Sequence, residues 1–461
     1  MKKALILVAL VLSGCSVGPN YVRPAAAVGE SLPAAWDNAK ETGKPLLLAK
    51  WWSLFEDSTL TGLVEAAHVG SPTVAEAYAR LAQARGLTGI SQAGALPNVT
   101  LQAQPLSRSD TGMSSQLTRS MGVAVSWEAD VFGANRRDRE ATFARAEGAE
   151  FAVRAAQVAL SADVASAYFT RRGCEAQLRL NEADLAARER VLSLTEARVT
   201  AGIAAPADGI RAKASMAEAR AQRLALQGSC ERSLNQLVAL TGLTSGELTR
   251  RLEQPTAPVL PRKEVTQVPA ELLTDRADLR NTEAQVKAAS AAIGVAQADK
   301  YPRLNLSGVI TRLSSGPVGA TSALMTTWSF AGSLAAPLFD GGRRDAAVNV
   351  AQAKYDETVA AYRGQVRTAV REVEDAFSKL NAAQAQARHL QDAQAQYARH
   401  FELAELRYRA GAVSLLELED ARRSWLASQI STTTTLTDQF QAHVALYRAL
   451  GGGWADESCD Q

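Results

Sequence analysis

Two stretches of the chain, residues 135–200 and 343–409, each run for about 66 residues with no proline, few glycines, and Ala and Leu recurring at helical spacing. At about 1.5 Å per residue each predicts a single helix roughly 100 Å long, and nothing else in the sequence limits the fold as strongly. Both stretches end at a turn of similar wording. Arg198, Gly202, Pro206 and Asp208 mark the first; Arg407, Tyr408, Gly411, Ser414, Glu417 and Asp420 mark the second. Gly411 follows Gly202 by 209 positions, which sets Glu417 opposite Asp208 and Asp420 opposite Arg211. Pro302 follows Pro97 by 205, Phe339 follows Phe132 by 207 and Gly452 follows Gly242 by 210. Offsets that creep in this way are those of a tandem duplication with small insertions. The repeats cover residues 61–250 and 271–452, joined by a linker over 251–270. Helices at about 206–241 and 415–450 return from the two turns over only half the distance. Shorter helical patterns at 73–92 and 278–299 supply the other half when stacked end to end with them.

Before each long helix the hydrophobic period changes from helical to alternating. After Pro97, Val99, Leu101 and Ala103 alternate with polar residues. A polar stretch through Ser109 and Gly112 follows, and then Met121, Val123, Val125 and Trp127 alternate again. Two strands over about 98–129 fit this pattern. The event recurs after Pro302, with Leu304 and Leu306, a loop at 314–319 and a second strand, together covering about 303–337. One chain therefore offers four strands. Their lengths and alternation suit lipid-facing strands, and suit a four-stranded sheet in a soluble domain equally well. In a membrane the sheet must close, because an open edge leaves backbone groups unpaired in hydrocarbon. Bacterial barrels begin at about eight strands, so four would require several chains.

The chain of 461 residues is 47% hydrophobic and 21% charged with a net charge of +2, a balance that gives no reason to expect nucleic acid. Only 6% of residues are aromatic while Ala is abundant, which favours long helices packed at close range over a compact enzyme core. Residues 1–14 have the basic start and short apolar run of a secretion signal, too short to cross a bilayer as a helix. Leu12, Ser13, Gly14 and Cys15 resemble a lipoprotein processing box with Cys15 as the lipidated mature N-terminus; an ordinary signal followed by a chance cysteine is the alternative. Ser16 in place of an aspartate points to the outer membrane. The segment 15–60 starts out rich in Pro, Gly and Ala and extends over a surface, and its Trp51, Trp52, Leu54 and Phe55 read as a packing cluster.

Cys174 and Cys230 lie symmetrically about Gly202, so antiparallel helices would carry them to matching heights. A disulfide between them is predicted, with two small buried thiols as the alternative. Helix axes about 8–10 Å apart and a Cα limit of about 7 Å require both side chains to face inward. Cys459, in the polar tail 453–461, reads as free. His68, His389, His400 and His443 are scattered and read as surface or packing residues. Neither a nucleotide motif nor a metal-ligand spacing is present, and no catalysis and no cofactor beyond the lipid on Cys15 is expected.

With this organisation in place, the chain resembles the outer-membrane efflux proteins of the TolC type, in their lipidated OprM-like branch. The resemblance spans nearly the whole chain. It rests on Cys15, Gly18, Pro19, Asn20, Tyr21, Val22, Arg23 and Pro24; on Trp52, Phe55, Asp57 and Leu60; on Pro269 through Arg280; on Leu338, Phe339, Asp340, Gly341 and Gly342; and on the closing Ala449 to Trp454. Ala277 departs from the usual proline. The resemblance implies a mainly α protein whose homotrimer pools four strands per chain into a twelve-stranded outer-membrane β-barrel. That barrel is continuous with a long periplasmic α-helical barrel. The resemblance further implies the exit duct of a tripartite efflux pump, fed by a periplasmic adaptor and an inner-membrane transporter of the RND type. An outer-membrane exporter of a type I protein secretion system is a rival reading, and a structural periplasmic coiled-coil lipoprotein with no pore is another. No residue pattern specifies a substrate.

By the same resemblance the periplasmic end is closed just after the second turn. The gate carboxylates fall on Glu417 and Asp420 and the apolar constriction on Leu416. The tie between helices falls on Tyr408, with Asp208 as its partner. The basic tie of TolC itself falls on Val413, so the lock differs in detail. Threefold symmetry would gather three copies of each carboxylate around one axis, where like charges raise one another's pKa and attract cations. A local alternative exists: Ser414 and Glu417 have capping-box spacing, and Asp208 after Pro206 suits a helix dipole. Arg211 is placed to pair with Asp420 or Glu417 across the turn.

Overall fold

The protein is described from a computed structural model that covers residues 16–23, 50–108, 116–253, 258–261, 273, 275–317 and 323–452. Cys15 and Cys459 lie outside the described residues. A 3-10 turn at Trp51–Phe55 leads into α1 (Ser58–Gly70) and α2 (Pro72–Gly94), then β1 (Asn98–Arg108) and β2 (Gln116–Ala129). The long α3 (Ala134–Thr200), its return α4 (Pro206–Thr241) and a short α5 (Ser245–Leu252) complete the first repeat. The second repeat runs α6 (Ala277–Ala298), β3 (Arg303–Pro317), β4 (Ala323–Ala335), α7 (Arg343–Arg409) and α8 (Leu415–Ala449). The expected linker start at 251 falls inside α5. Thr244 caps that helix through Glu247 N–H, and Leu248 and Leu252 are buried, which holds it in the fold.

The described residues form two compact units, one from those within 1–30, 77–152 and 278–365, the other from those within 31–76, 153–277 and 366–461. The first unit holds the sheet, four antiparallel strands in the order β1-β2-β3-β4. Its register sorts the side chains into two unlike faces. Leu101, Val123, Ile310 and Trp328 form one cross-strand row, and Val99, Val125, Gly308 and Phe330 the next. The opposite face carries Gln102, Gly122, Thr311 and Thr327 in one row and Gln104 and Ser120 beside Leu313 and Met325 in another. Both faces are open, since Gln102, Gln104 and Thr327 are exposed too, and on the apolar face Leu101 is 67%, Trp328 78% and Phe330 72% exposed. A soluble sheet buries such a face, whereas a sheet in lipid turns it outward. β3 reaches Pro317, taking in residues expected to form the loop.

The N-terminal strap is bound in this unit. Arg137, buried on α3, donates to the carbonyls of Val17 (3.2 Å) and Gly18 (3.1 Å) and to Asn20 Oδ1 at 2.8 Å. Arg23 pairs with Glu283 on α6 at 2.6 Å. Phe132 stacks on Tyr301 with centroids 4.8 Å apart. Among the described residues, no helix is long and apolar enough to cross a membrane.

The second unit is organised around an aromatic core. Trp51 stacks on Tyr447 at 5.2 Å, Phe169 on Phe440 at 4.5 Å, and Phe55 leans on Phe169 at 4.8 Å. Asp57 caps α1 by accepting from Thr59 N–H at 2.8 Å and Leu60 N–H at 3.2 Å. Its other oxygen accepts from the Tyr168 hydroxyl at 2.5 Å, and that hydroxyl accepts from Arg172 Nε at 3.0 Å. Asp57→Ala is therefore expected to cost about 2 kcal/mol, the sum of a lost cap and a buried hydroxyl left short of its acceptor. A fall in the thermal unfolding midpoint checks it, and an unchanged midpoint would show that the cap is redundant.

Cys174 on α3 and Cys230 on α4 are joined by a disulfide, with Cα atoms 5.6 Å apart. The positions 209 residues later are Ala383 on α7 and Gln439 on α8. They also touch, through Gln439 Nε2 donating to the Ala383 carbonyl at 3.2 Å. The duplication is thus preserved in space, with a covalent bond in one repeat and a hydrogen bond in the other.

Candidate functional site

Both long helices end in the same backbone device. Gly202 and Gly411 each adopt φ of 71°, the left-handed conformation that glycine enters without a Cβ penalty. Ile203 N–H returns to the Arg198 carbonyl at 2.9 Å and Ala412 N–H to the Arg407 carbonyl at 2.9 Å, the closing bond of a Schellman motif. The helices that follow start differently. Pro206 opens α4 without a side-chain cap and with Asp208 in its first turn, so that carboxylate faces the positive end of the helix dipole. Ser414 caps α8 by accepting from Glu417 N–H at 3.3 Å.

Beyond the second turn, α8 has two faces. Leu415, Leu418 and Ala421 are buried with Leu192 and Ala212 of the first hairpin and Ala404 and Tyr408 of α7. Leu416, Asp420 and Arg423 form an exposed stripe at i, i+4, i+7 spacing. A groove of 290 Å³ is lined by His400, Leu416, Glu417, Asp420 and Ser424, so the expected mouth residues share one surface with a histidine that the sequence analysis reads as an ordinary surface or packing residue.

The partners differ from expectation in two respects. Arg211 is exposed, and the carboxylates assigned to it have nearer cations. Asp420 meets Arg423 at 3.7 Å, and Glu417 meets Arg407 at 3.6 Å. Arg423 is three residues along the same helix and Arg407 faces Glu417 across the tight turn, so neither pair needs the other hairpin. Tyr408 is buried, and its ring lies under Arg198, with the guanidinium 5.4 Å from the centroid. This cation–π contact joins α7 to α3. Among the described residues no hydrogen bond joins Tyr408 to Asp208, which serves its own helix start.

Just behind this surface lies a buried charge network that the sequence did not reveal. Glu419 Oε1 accepts from Arg422 at 3.0 Å, and Glu419 Oε2 faces Arg188 of α3 at 3.4 Å. Arg188 also pairs with Asp184 at 2.7 Å and bonds Ser215 of α4. Ser215 donates to Glu419 at 3.2 Å. Arg422 rests 5.5 Å over the ring of Phe401 on α7, and Phe401 stacks on Trp425 at 4.9 Å. Among the described residues no cluster suited to a metal ion occurs.

A four-stranded sheet with an open apolar face and a duplicated pair of long helical hairpins together define an outer-membrane channel subunit. The comparisons agree with that class. The sequence profile described as "Outer membrane efflux protein" matches residues 63–243 and 268–452, and the chain belongs to this family. It is 31% identical over 458 residues to outer membrane protein OprJ of Pseudomonas aeruginosa, covering 97% of this chain and 95% of that one. Identity is also 31% to the solvent efflux pump outer membrane protein SrpC of Pseudomonas putida, covering 97% of each. The solved structure of the outer-membrane channel OprN superposes with a TM-score of 0.85 at 31% identity, covering 95% of this chain and all of that one. The chain is an outer-membrane efflux channel protein and not an enzyme, and the pore-free coiled-coil reading falls with that assignment.

Proposed function

We propose that three copies of this chain close into one duct, with the stripe Leu416, Asp420 and Arg423 as its periplasmic mouth. The observation that carries the reading is the sheet: one of its faces is apolar and open, and among the described residues no strand lies beyond the outer edges of β1 and β4. Such edges in hydrocarbon must be paired, and three sets of four strands give a barrel of ordinary size. The chain is held in the outer membrane also by lipid on Cys15. It receives cargo from a periplasmic adaptor and an inner-membrane transporter of the RND type. Likeness to a solvent efflux pump protein favours small-molecule cargo over type I protein secretion.

Planar-bilayer recording of the purified full chain tests the mouth. Asp420→Asn is expected to raise conductance severalfold and to lower cation preference, because three carboxylates no longer converge on one axis. Unchanged conductance and selectivity would show that the mouth lies elsewhere.

A further inference from the structure

We propose that Glu419 is the positioning residue of the mouth: held between Arg188 and Arg422, it fixes the rotation of α8 that presents Leu416 and Asp420. The inference rests on the mouth reading above and adds a device that the reading does not contain. Glu419 and Arg422 are 6% and 4% exposed, although they stand beside the exposed Asp420 and Arg423. At 3.6 residues per turn the buried pair lies about a quarter turn round α8 from the exposed stripe. The two stripes therefore move together when the helix turns.

The surrounding contacts do not fix that rotation equally well. Leu415, Leu418 and Ala421 meet an apolar wall, which tolerates small slides because apolar attraction has no direction. A carboxylate between two guanidiniums has one good setting, and buried ionic groups are best attested as devices of register. The anchor on the far side is itself fixed: Asp184 holds Arg188 from one turn up α3 at 2.7 Å, and Ser215 reaches the same group from α4. On the near side, Arg422 is braced on Phe401 of α7. One carboxylate thus ties α8 to both helices of the first hairpin, one residue away from Asp420. Any rotation that withdraws Asp420 must pull Glu419 out from between Arg188 and Arg422.

The test is bilayer conductance of the assembled full chain for Glu419→Gln, Glu419→Asp and Asp420→Asn. Glu419→Gln is expected to raise the open fraction roughly tenfold or more, since stranding a buried charge costs more than a tenfold shift requires. Glu419→Asp retains the charge and is expected to stay near the parent. If Glu419→Gln stays at the parent level while Asp420→Asn rises, the positioning role is overturned and the mouth stands. If all three match the parent, the mouth reading fails and the inference with it. Should Glu419→Gln not assemble, Asp184→Leu, Arg188→Met, Glu419→Leu and Arg422→Leu combined fill the same site without charge. That variant is expected to match or exceed the parent's thermal midpoint yet conduct like an open mouth. An assembled quadruple variant as closed as the parent overturns the proposal.

Discussion

Replacing Cys174 and Cys230 with alanine is expected to lower the free energy of opening the first hairpin by about 4 kcal/mol, by the chain-entropy relation for a closed loop of 56 residues. The bond sits partway up a pair of helices whose far end is a solvent-exposed turn. Without it the turn-proximal half is held by the apolar cluster around Leu192 and Ala212 and by exposed ion pairs such as Lys213–Glu196, 3.0 Å apart. Exposed pairs of this kind contribute about 0–1 kcal/mol, so they cannot replace a covalent link. Native-state hydrogen exchange reads the effect directly. Amides between the two positions should exchange up to about a thousandfold faster in the variant, while those of α7 and α8 keep their parent rates. Equal rates in both proteins would mean that helix packing alone holds the hairpin.

Acid is expected to weaken the aromatic core by up to about 3 kcal/mol between pH 6.5 and 4. His443 is buried against Phe55, with ring centroids 6.5 Å apart, and burial lowers its pKa to about 4. The unfolded chain takes up a proton near pH 6.5, while the folded chain keeps the ring neutral until about pH 4. The stabilisation is therefore complete above pH 6.5 and is lost as pH falls through that window. His68, beside Trp52, is shifted downward by burial in the same direction, so the slope belonging to His443 is the difference from a His443→Leu variant. That substitution is tolerable because His443 Nδ1 has no partner among the described residues. Thermal midpoints that fall in parallel for both proteins would assign the acid sensitivity to other groups.

The large features were readable because they depend only on position along the chain. Pro97 and Pro302 announce the change from helical to alternating period, and the strands begin one residue after each. The symmetry of Cys174 and Cys230 about Gly202 needs only an antiparallel return to become a bond. The charge network had no such signal. Glu419 and Arg422 stand among Glu417, Asp420 and Arg423 and look like one more charged patch on a solvated helix. What buries them is Arg188, which reaches Glu419 from 231 positions away, and no local period records that. Arg211 failed for the converse reason. The repeat offset placed it correctly opposite Asp420, but alignment between repeats is not contact, and the carboxylates found cations on their own hairpin. Tyr408 is buried, and the partner seen is a cation over its ring and not a carboxylate at its hydroxyl.

The disulfide of the first repeat and the Gln439–Ala383 hydrogen bond of the second occupy the same place in two copies of one ancestral unit. A single copy used twice could not be rigid in one role and compliant in the other, since every change would appear in both. Once duplicated, the copies were free to specialise. One carries a covalent brace. The other, which carries Leu416, Glu419 and Asp420, kept a link that thermal motion can break and re-form. A reducing environment would erase that division of labour, leaving two arms of similar compliance where the oxidised protein has one fixed and one able to move.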